Sequence, residues 1–88
     1  MVVYELYFTK RAQKDAKKVK ESNLKPKVEE LLLFISNDPY SYPPSFEFLQ
    51  GDLVGAISRR INKQHRLVYQ VIEEEKAIKI LMMWTHYE

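Results

Sequence analysis

Three β-prone segments follow one another closely in the final part of the chain, and they constrain its fold more than any other feature. The segments are residues 55 to 62, 66 to 72 and 77 to 84, separated by the short runs NKQH and EEEK. A parallel crossover needs about a dozen residues or more, so connections this short leave only antiparallel pairing. The sequence therefore predicts three consecutive antiparallel strands.

A strand and a helix are predicted at the N-terminal end. Residues 2 to 8, VVYELYF, are rich in β-branched and aromatic types, which favour a strand. Thr9 is a suitable N-cap for a helix over residues 10 to 21. In that helix apolar residues recur at helical spacing and lysines fill the other positions, so its outer face is basic.

A second helix and an extended connector precede the three strands. Pro26 suits a first helical turn, apolar residues recur at helical spacing up to Ile35, and Asn37-Asp38-Pro39 ends the helix. The run DPYSYPPS holds three prolines, which keep the backbone extended and lack ladder donors. The order β-α-α-β-β-β predicts an α+β fold, with a two-helix hairpin packed on a twisted antiparallel sheet in one domain spanning residues 1–88.

The composition excludes several classes of protein and site. The chain has no cysteine, so disulfides, thiolate zinc sites and thiol nucleophiles are absent. Its N-terminus lacks the basic opening and apolar run of a signal peptide, and no apolar span of about 18 residues occurs. We therefore expect a cytoplasmic protein with no membrane partner.

Positive charge is concentrated in the first helix and the turn that follows it. Residues 10 to 27 hold eight of the fourteen Lys and Arg against two acids, a local charge of +6, so the remainder carries −4 of the net +2. This asymmetry fits a surface that faces a polyanion. It fits a solvated helix face equally well.

Few residues outside the helices remain for chemistry. No recognised ligand spacing links the two histidines to a carboxylate, and no GxSxG motif supplies a serine nucleophile. A carboxylate, an imidazole and several guanidinium groups are what metal-free phosphodiester cleavage needs: a base, an acid and charge stabilisers. We therefore expect neither a metal nor another cofactor. On composition alone, phosphodiester cleavage is one option among several.

Residues 51 to 71, GDLVGAISRRINKQHRLVYQV, lie between Glu47 and a chain end that contains His86-Tyr87. These features resemble the YoeB/Txe family of the RelE superfamily, type II toxins that cleave messenger RNA. The most specific part is the run SRRI, followed by a four-residue spacer that ends in His and then by RLVY. The resemblance implies a RelE-like fold and a ribosome-dependent endoribonuclease that uses the 2′-hydroxyl of RNA as nucleophile and leaves a 2′,3′-cyclic phosphate.

The resemblance also implies roles for individual residues. Glu47 would be the general base, His86 the general acid, and Tyr87 a residue that orients the substrate or stacks on a base. Arg60 and Arg66 would hold the phosphate. Relatives carry a PEPLK-like run where this chain has FEFLQ, so the lysine contact is not carried over, and the two phenylalanines are expected to exclude water from the carboxylate.

The turn before Arg66 decides which arginine accompanies it. Directly paired residues of an antiparallel hairpin project to the same face. A four-residue turn places Arg59 beside Arg66, whereas a three-residue or bulged turn places Arg60 there. The role implied for Arg60 favours the second arrangement, and Arg59 is retained as a candidate RNA contact.

The resemblance implies partners as well: messenger RNA in the ribosomal A site, ribosomal RNA, a YefM-like antitoxin, operator DNA only within the toxin–antitoxin complex, and a homodimer. Contacts with the ribosomal RNA backbone, or with an acidic antitoxin segment, are expected of four lysines in the first helix: Lys10, Lys14, Lys17 and Lys18. His65 is expected in a turn and Trp84 in the core. The alternative is a non-catalytic RelE-like binding module, either a gyrase-directed toxin of the ParE type or an antitoxin-dependent transcriptional co-repressor.

Overall fold

The computed structural model describes residues 3–41, 46–49, 55–62 and 65–84. Within these ranges the helices and strands lie close to their predicted positions. In chain order they are β1 (Glu5–Phe8), α1 (Lys10–Lys20), α2 (Lys25–Asn37), β2 (Glu47–Phe48), β3 (Ile57–Arg60), β4 (Arg66–Ile72) and β5 (Ala77–Met82), with a short 3-10 turn (Glu73–Glu75) between β4 and β5.

The strands form one sheet in the order β1-β5-β4-β3-β2. The pairs β2–β3, β3–β4 and β4–β5 are antiparallel, which confirms the α+β class and the three consecutive antiparallel strands. Two details differ from the prediction. Strand β1 pairs parallel with β5, so the sheet is mixed; the chain between these two strands is long enough for a parallel crossover. An additional two-residue strand, β2, follows the predicted connector and lies on the sheet edge.

Helix α1 begins at the predicted cap and is joined to the end of β5. The Thr9 side chain accepts a hydrogen bond from the backbone N–H of Ala12 at 3.1 Å, which confirms the N-cap. Asp15 is buried in α1, and its carboxylate accepts a hydrogen bond from the backbone N–H of Met83 at 3.1 Å. A buried carboxylate needs such a donor, so Asp15 holds α1 against the segment after β5.

The helices cover one face of the sheet and leave the other face with a smaller apolar cluster. The main core joins Val19, Val28, Leu31 and Ile35 of the helices to strand residues, which include Ile57, Leu67, Tyr69, Ile78 and Ile80. The second cluster contains Leu49, Ala56 and Val68. Within the described ranges, no helix is both long enough and apolar enough to cross a bilayer.

Candidate active site

The hairpin between β3 and β4 places Arg60 directly opposite Arg66. The backbone N–H of Ile61 donates to the carbonyl of His65 at 2.8 Å, so the pairing continues one step past Arg60 and three residues of sequence separate Ile61 from His65. This odd number is the arrangement that brings Arg60, and not Arg59, to the face of Arg66. The structure thus resolves the choice that the sequence left open.

The neighbouring strand β2 adds a carboxylate to the same face. Glu47 lies opposite Ser58 in the β2–β3 ladder, and Ser58 and Arg60 are two residues apart on β3. Because side chains alternate between faces along a strand and paired residues share a face, Glu47, Ser58, Arg60 and Arg66 converge. With Phe46 they line a cleft of about 270 Å³ on the face opposite the helices.

Glu47 and Arg66 form an ion pair across this cleft. Their carboxylate oxygen Oε1 and guanidinium nitrogen Nη1 are 3.5 Å apart, and the side chains are 64% and 25% exposed, respectively. Phe48 is 59% exposed and Glu47 remains open to solvent, so the expected exclusion of water by the two phenylalanines is not seen. A solvent-accessible carboxylate beside two guanidinium groups can bind and release protons while the cations hold an anion.

Comparison with known proteins assigns the chain to a family. The family model described as YoeB-like toxin of bacterial type II toxin-antitoxin system matches residues 7 to 87. The chain belongs to the YoeB-like toxin family. A relative named Toxin YoeB, from Mycobacterium bovis, is 39% identical over 61 residues, which are 69% of this chain and 69% of that protein. The resemblance seen in the sequence is therefore confirmed, and the chain is a YoeB-type toxin of a toxin–antitoxin system.

Solved structures agree with this membership. The YoeB/ParE toxin from Agrobacterium tumefaciens has a TM-score of 0.86 and 26% identity, with 94% of this chain and 99% of that chain covered. In the YoeB-YefM complex from Staphylococcus aureus, the matching chain has a TM-score of 0.80 and 36% identity, with coverage of 96% and 98%. Both cover nearly the whole of this YoeB-like chain, so the RelE-like arrangement of helices and sheet is shared.

Arg59 occupies a different environment from its neighbour Arg60. It pairs with Leu67 on the helix-covered face, is 1% exposed, and donates a hydrogen bond from Nε to the hydroxyl of Tyr69 at 2.9 Å. The expectation that Arg59 contacts RNA is corrected by this placement, because a buried guanidinium cannot reach a ligand at the surface. Burial raises the pKa of the Tyr69 hydroxyl, and the hydrogen bond from Arg59 acts in the opposite direction.

The lysines of α1 lie on a separate surface of this YoeB-like toxin. All four candidate lysines are exposed. Three of them, Lys10, Lys14 and Lys18, recur at intervals of four residues, which places them along one stripe of the helix. The stripe borders a cleft of about 510 Å³ whose lining includes Trp84. The residues that line this cleft are Lys10, Arg11, Lys14, Asp15, Lys18 and Trp84.

Two features near the cleft were not predicted from the sequence. The ring of His65 stacks on Trp84 with centroids 4.2 Å apart, although His65 was expected only as a turn residue. Trp84 is partly buried and packs against the main core, as expected. Ser58, in the wall of the cleft that Glu47 and Arg66 line, has a buried hydroxyl without a hydrogen bond in the described part of the chain. Its spacing of two residues from Arg60 was the available signal.

The expected acid and its neighbour, His86 and Tyr87, lie outside the described residues. Their roles therefore stay predictions. Across residues 3–41, 46–49, 55–62 and 65–84, no group of three or more His, Cys, Asp or Glu side chains is arranged to hold a metal ion.

Proposed function

We propose that this YoeB-like toxin is a ribosome-dependent endoribonuclease that cleaves messenger RNA in the ribosomal A site. The observation that carries the proposal is the convergence of Glu47, Arg60 and Arg66 on one cleft. These groups come from three adjacent strands, and together they supply a proton acceptor and two cations to one cleft.

The cleavage uses the nucleophile that RNA carries. Glu47 takes the proton of the 2′-hydroxyl as O2′ bonds to phosphorus, and the bond from phosphorus to O5′ breaks. His86 gives a proton to the departing O5′, and Tyr87 orients the substrate. The products are a 2′,3′-cyclic phosphate and a 5′-hydroxyl, and every step proceeds without a metal at the reacting phosphate.

Arg60 and Arg66 hold the non-bridging oxygens of the phosphate. Each guanidinium presents a planar fork of donors, which suits two oxygens of one phosphate. Negative charge grows on those oxygens as the phosphorane forms, so the cations stabilise the transition state more than the ground state. In the free protein Glu47 neutralises part of the charge of Arg66, and the entering phosphate competes for that guanidinium.

The basic stripe on α1 supports the same function at a second surface. Lysines spaced along one helix face suit the regularly spaced phosphates of ribosomal RNA, and such contacts release counterions. We assign this role to Lys10, Lys14, Lys17 and Lys18.

The remaining partners follow from the family. A YefM-like antitoxin neutralises the toxin, by analogy with the YoeB-YefM complex from Staphylococcus aureus, and operator DNA is bound only by the toxin–antitoxin complex. A homodimer is a further expected assembly. The protein acts in the cytoplasm.

The proposal is tested on ribosomes programmed with end-labelled messenger RNA. The wild-type toxin is expected to cut the message only when ribosomes are present, and to leave a 2′,3′-cyclic phosphate. Glu47→Gln is expected to lower the single-turnover rate by about 10²- to 10⁴-fold, the usual contribution of a general base. Glu74→Gln removes the same charge from an exposed residue outside the cleft and is expected to cut normally.

The alternative binding module gives a different pattern. A toxin that arrests growth while its messenger RNA stays intact, and whose Glu47→Gln variant arrests growth equally, would support a gyrase-directed toxin or a co-repressor. Cleavage that is lost in Glu47→Gln and kept in Glu74→Gln rules that alternative out.

A further inference from the structure

Arg59 lies at the centre of a buried hydrogen-bond network. Besides the bond from Nε to Tyr69, its Nη2 donates to the carbonyls of Pro39 at 3.1 Å and Ser41 at 2.8 Å. The hydroxyl of Tyr69 also donates to the Pro39 carbonyl, at 2.7 Å. Two side chains from the central strands β3 and β4 therefore bind the backbone that leaves helix α2.

The sequence explains why this backbone needs donors from elsewhere. The run after α2 is rich in proline, and prolines supply no N–H groups to a ladder. Buried carbonyls without a donor are unfavourable. A guanidinium carries five N–H donors in a rigid fork, so one arginine can satisfy carbonyls that the local chain leaves unpaired.

The same guanidinium also contacts the far end of the connector. The Cζ atom of Arg59 lies 4.8 Å from the centroid of the Phe46 ring, within the range of a cation–π contact. Phe46 immediately precedes Glu47, whose carboxylate is 3.5 Å from Arg66. Arg59 thus touches both the start of the connector and the residue beside the proposed base.

We propose that Arg59, assisted by Tyr69, is a positioning residue for the cleavage reaction: it fixes both ends of the proline-rich connector and so sets the place of Glu47 in the cleft. This inference rests on the proposed role of Glu47 as base. The two adjacent arginines then have complementary roles on opposite faces of β3, since Arg60 contacts the phosphate and Arg59 holds the segment that carries the base.

Two conservative variants test the inference in the whole protein. Arg59→Lys keeps the charge but loses the fork that reaches Tyr69 and two carbonyls, and Tyr69→Phe removes one hydroxyl. A displacement of about 1 Å in a catalytic group can lower a rate by about 10²-fold. We expect single-turnover cleavage on programmed ribosomes to fall by about 10- to 100-fold for both variants, with ribosome affinity within about two-fold of the wild type.

A control variant in the core, and a repeat of Arg59→Lys in a Glu47→Gln background, distinguish an effect on positioning from an effect on folding. Ile78→Val trims the same core without touching the connector and is expected to cleave at the wild-type rate. In a Glu47→Gln background, Arg59→Lys is expected to cause no further loss, because the group that it positions is already absent. Equal losses in both backgrounds, or a normal rate for Arg59→Lys, would overturn the inference.

Hydrogen exchange provides a readout that does not depend on nuclease activity. The backbone N–H of Leu49 donates to the carbonyl of Ala56 at 2.9 Å, and we expect its exchange to accelerate at least about 10-fold in Arg59→Lys while the amides of β5 keep their protection. Unchanged exchange at Leu49 would overturn the inference by itself. If Glu47→Gln cleaved normally, the proposed function would lose its base, and the exchange result would still report whether Arg59 holds the connector.

Discussion

Arg66 reaches across the sheet to Glu47, and their charged groups are 3.5 Å apart although they belong to β4 and β2, the strands on either side of β3. Arg60, on β3, lies between them and pairs directly with Arg66. A phosphate that enters the cleft therefore meets two guanidinium groups and a carboxylate at once. The register of three adjacent strands produces this grouping.

Arg66→Lys tests whether the guanidinium itself stabilises the transition state. Lysine keeps the charge but loses the planar, two-pronged contact with the phosphate, so the single-turnover cleavage rate is expected to fall by about 10²- to 10³-fold. Arg11→Lys makes the same chemical change on the exposed side of α1 and is expected to have little effect. Similar rates for the two variants would argue against a role for Arg66 in the reaction.

The basic stripe on α1 predicts a salt-dependent affinity for the ribosome. Each of Lys14→Gln and Lys18→Gln is expected to weaken binding and to reduce the slope of log K against log salt by about 1, because one phosphate contact is lost. Lys27→Gln removes an exposed charge from α2 and serves as the control. A titration of labelled toxin with ribosomes at several salt concentrations gives the slopes, and identical slopes for all three variants would exclude the stripe as an RNA contact.

Local signals in the sequence predicted most of the fold, while pairing between distant residues was harder to infer. The cap at Thr9 and the apolar spacing located α1 to within one residue. The parallel pairing of β1 with β5 had no local signal, because any edge of the sheet could have received β1. The two residues of β2 are too few to show an alternating pattern.

The two adjacent arginines show the same limit at the site. The face of the sheet that each arginine occupies depends on the number of residues in the turn. The hydrogen bond between Ile61 and His65 determines that number. Arg59 resembled a surface cation in the sequence because two of its partners are the backbone carbonyls of Pro39 and Ser41, which leave no mark in residue types.

The buried hydroxyl of Tyr69 predicts a loss of stability in alkaline solution. Burial raises the pKa of Tyr69, so below the ordinary tyrosine pKa of about 10 both the folded and the unfolded chain keep the proton. As the pH rises above that value, the unfolded chain ionises first, and the free energy of unfolding falls until the folded pKa is passed. The stabilising contribution of Tyr69 is thus fully present below its pKa in the unfolded chain, and it is lost as the pH rises towards its raised pKa in the folded chain.

Tyr69→Phe is expected to make this alkaline decline shallower and to remove a tyrosine with a raised pKa from an absorbance titration of the folded protein. Urea unfolding between neutral and alkaline pH measures the first effect. A decline as steep in Tyr69→Phe as in the wild type would show that Tyr69 ionises equally easily in both states.

The stack of His65 on Trp84 predicts an energetic coupling between the start of β4 and the end of β5. Stacked rings contribute about 0.5–1.5 kcal/mol beyond their buried area, and a double-mutant cycle of His65→Ala with Trp84→Leu should recover a coupling of that size from urea unfolding. A second cycle that combines Trp84→Leu with Lys27→Ala should show none. Equal couplings in the two cycles would mean that the rings do not interact in solution.

The proposed mechanism depends on the 2′-hydroxyl of the message as nucleophile, and removing that one oxygen atom tests it most directly. The nucleotide on the 5′ side of the mapped cleavage point is replaced by its 2′-deoxy analogue, and the message is bound to ribosomes with the wild-type toxin. Cleavage at that phosphate is expected to fall to background, while the toxin still binds the ribosome. Cleavage that continues at the deoxy position at the original rate would contradict the mechanism, since neither Glu47 nor the paired arginines would then be activating the hydroxyl of RNA.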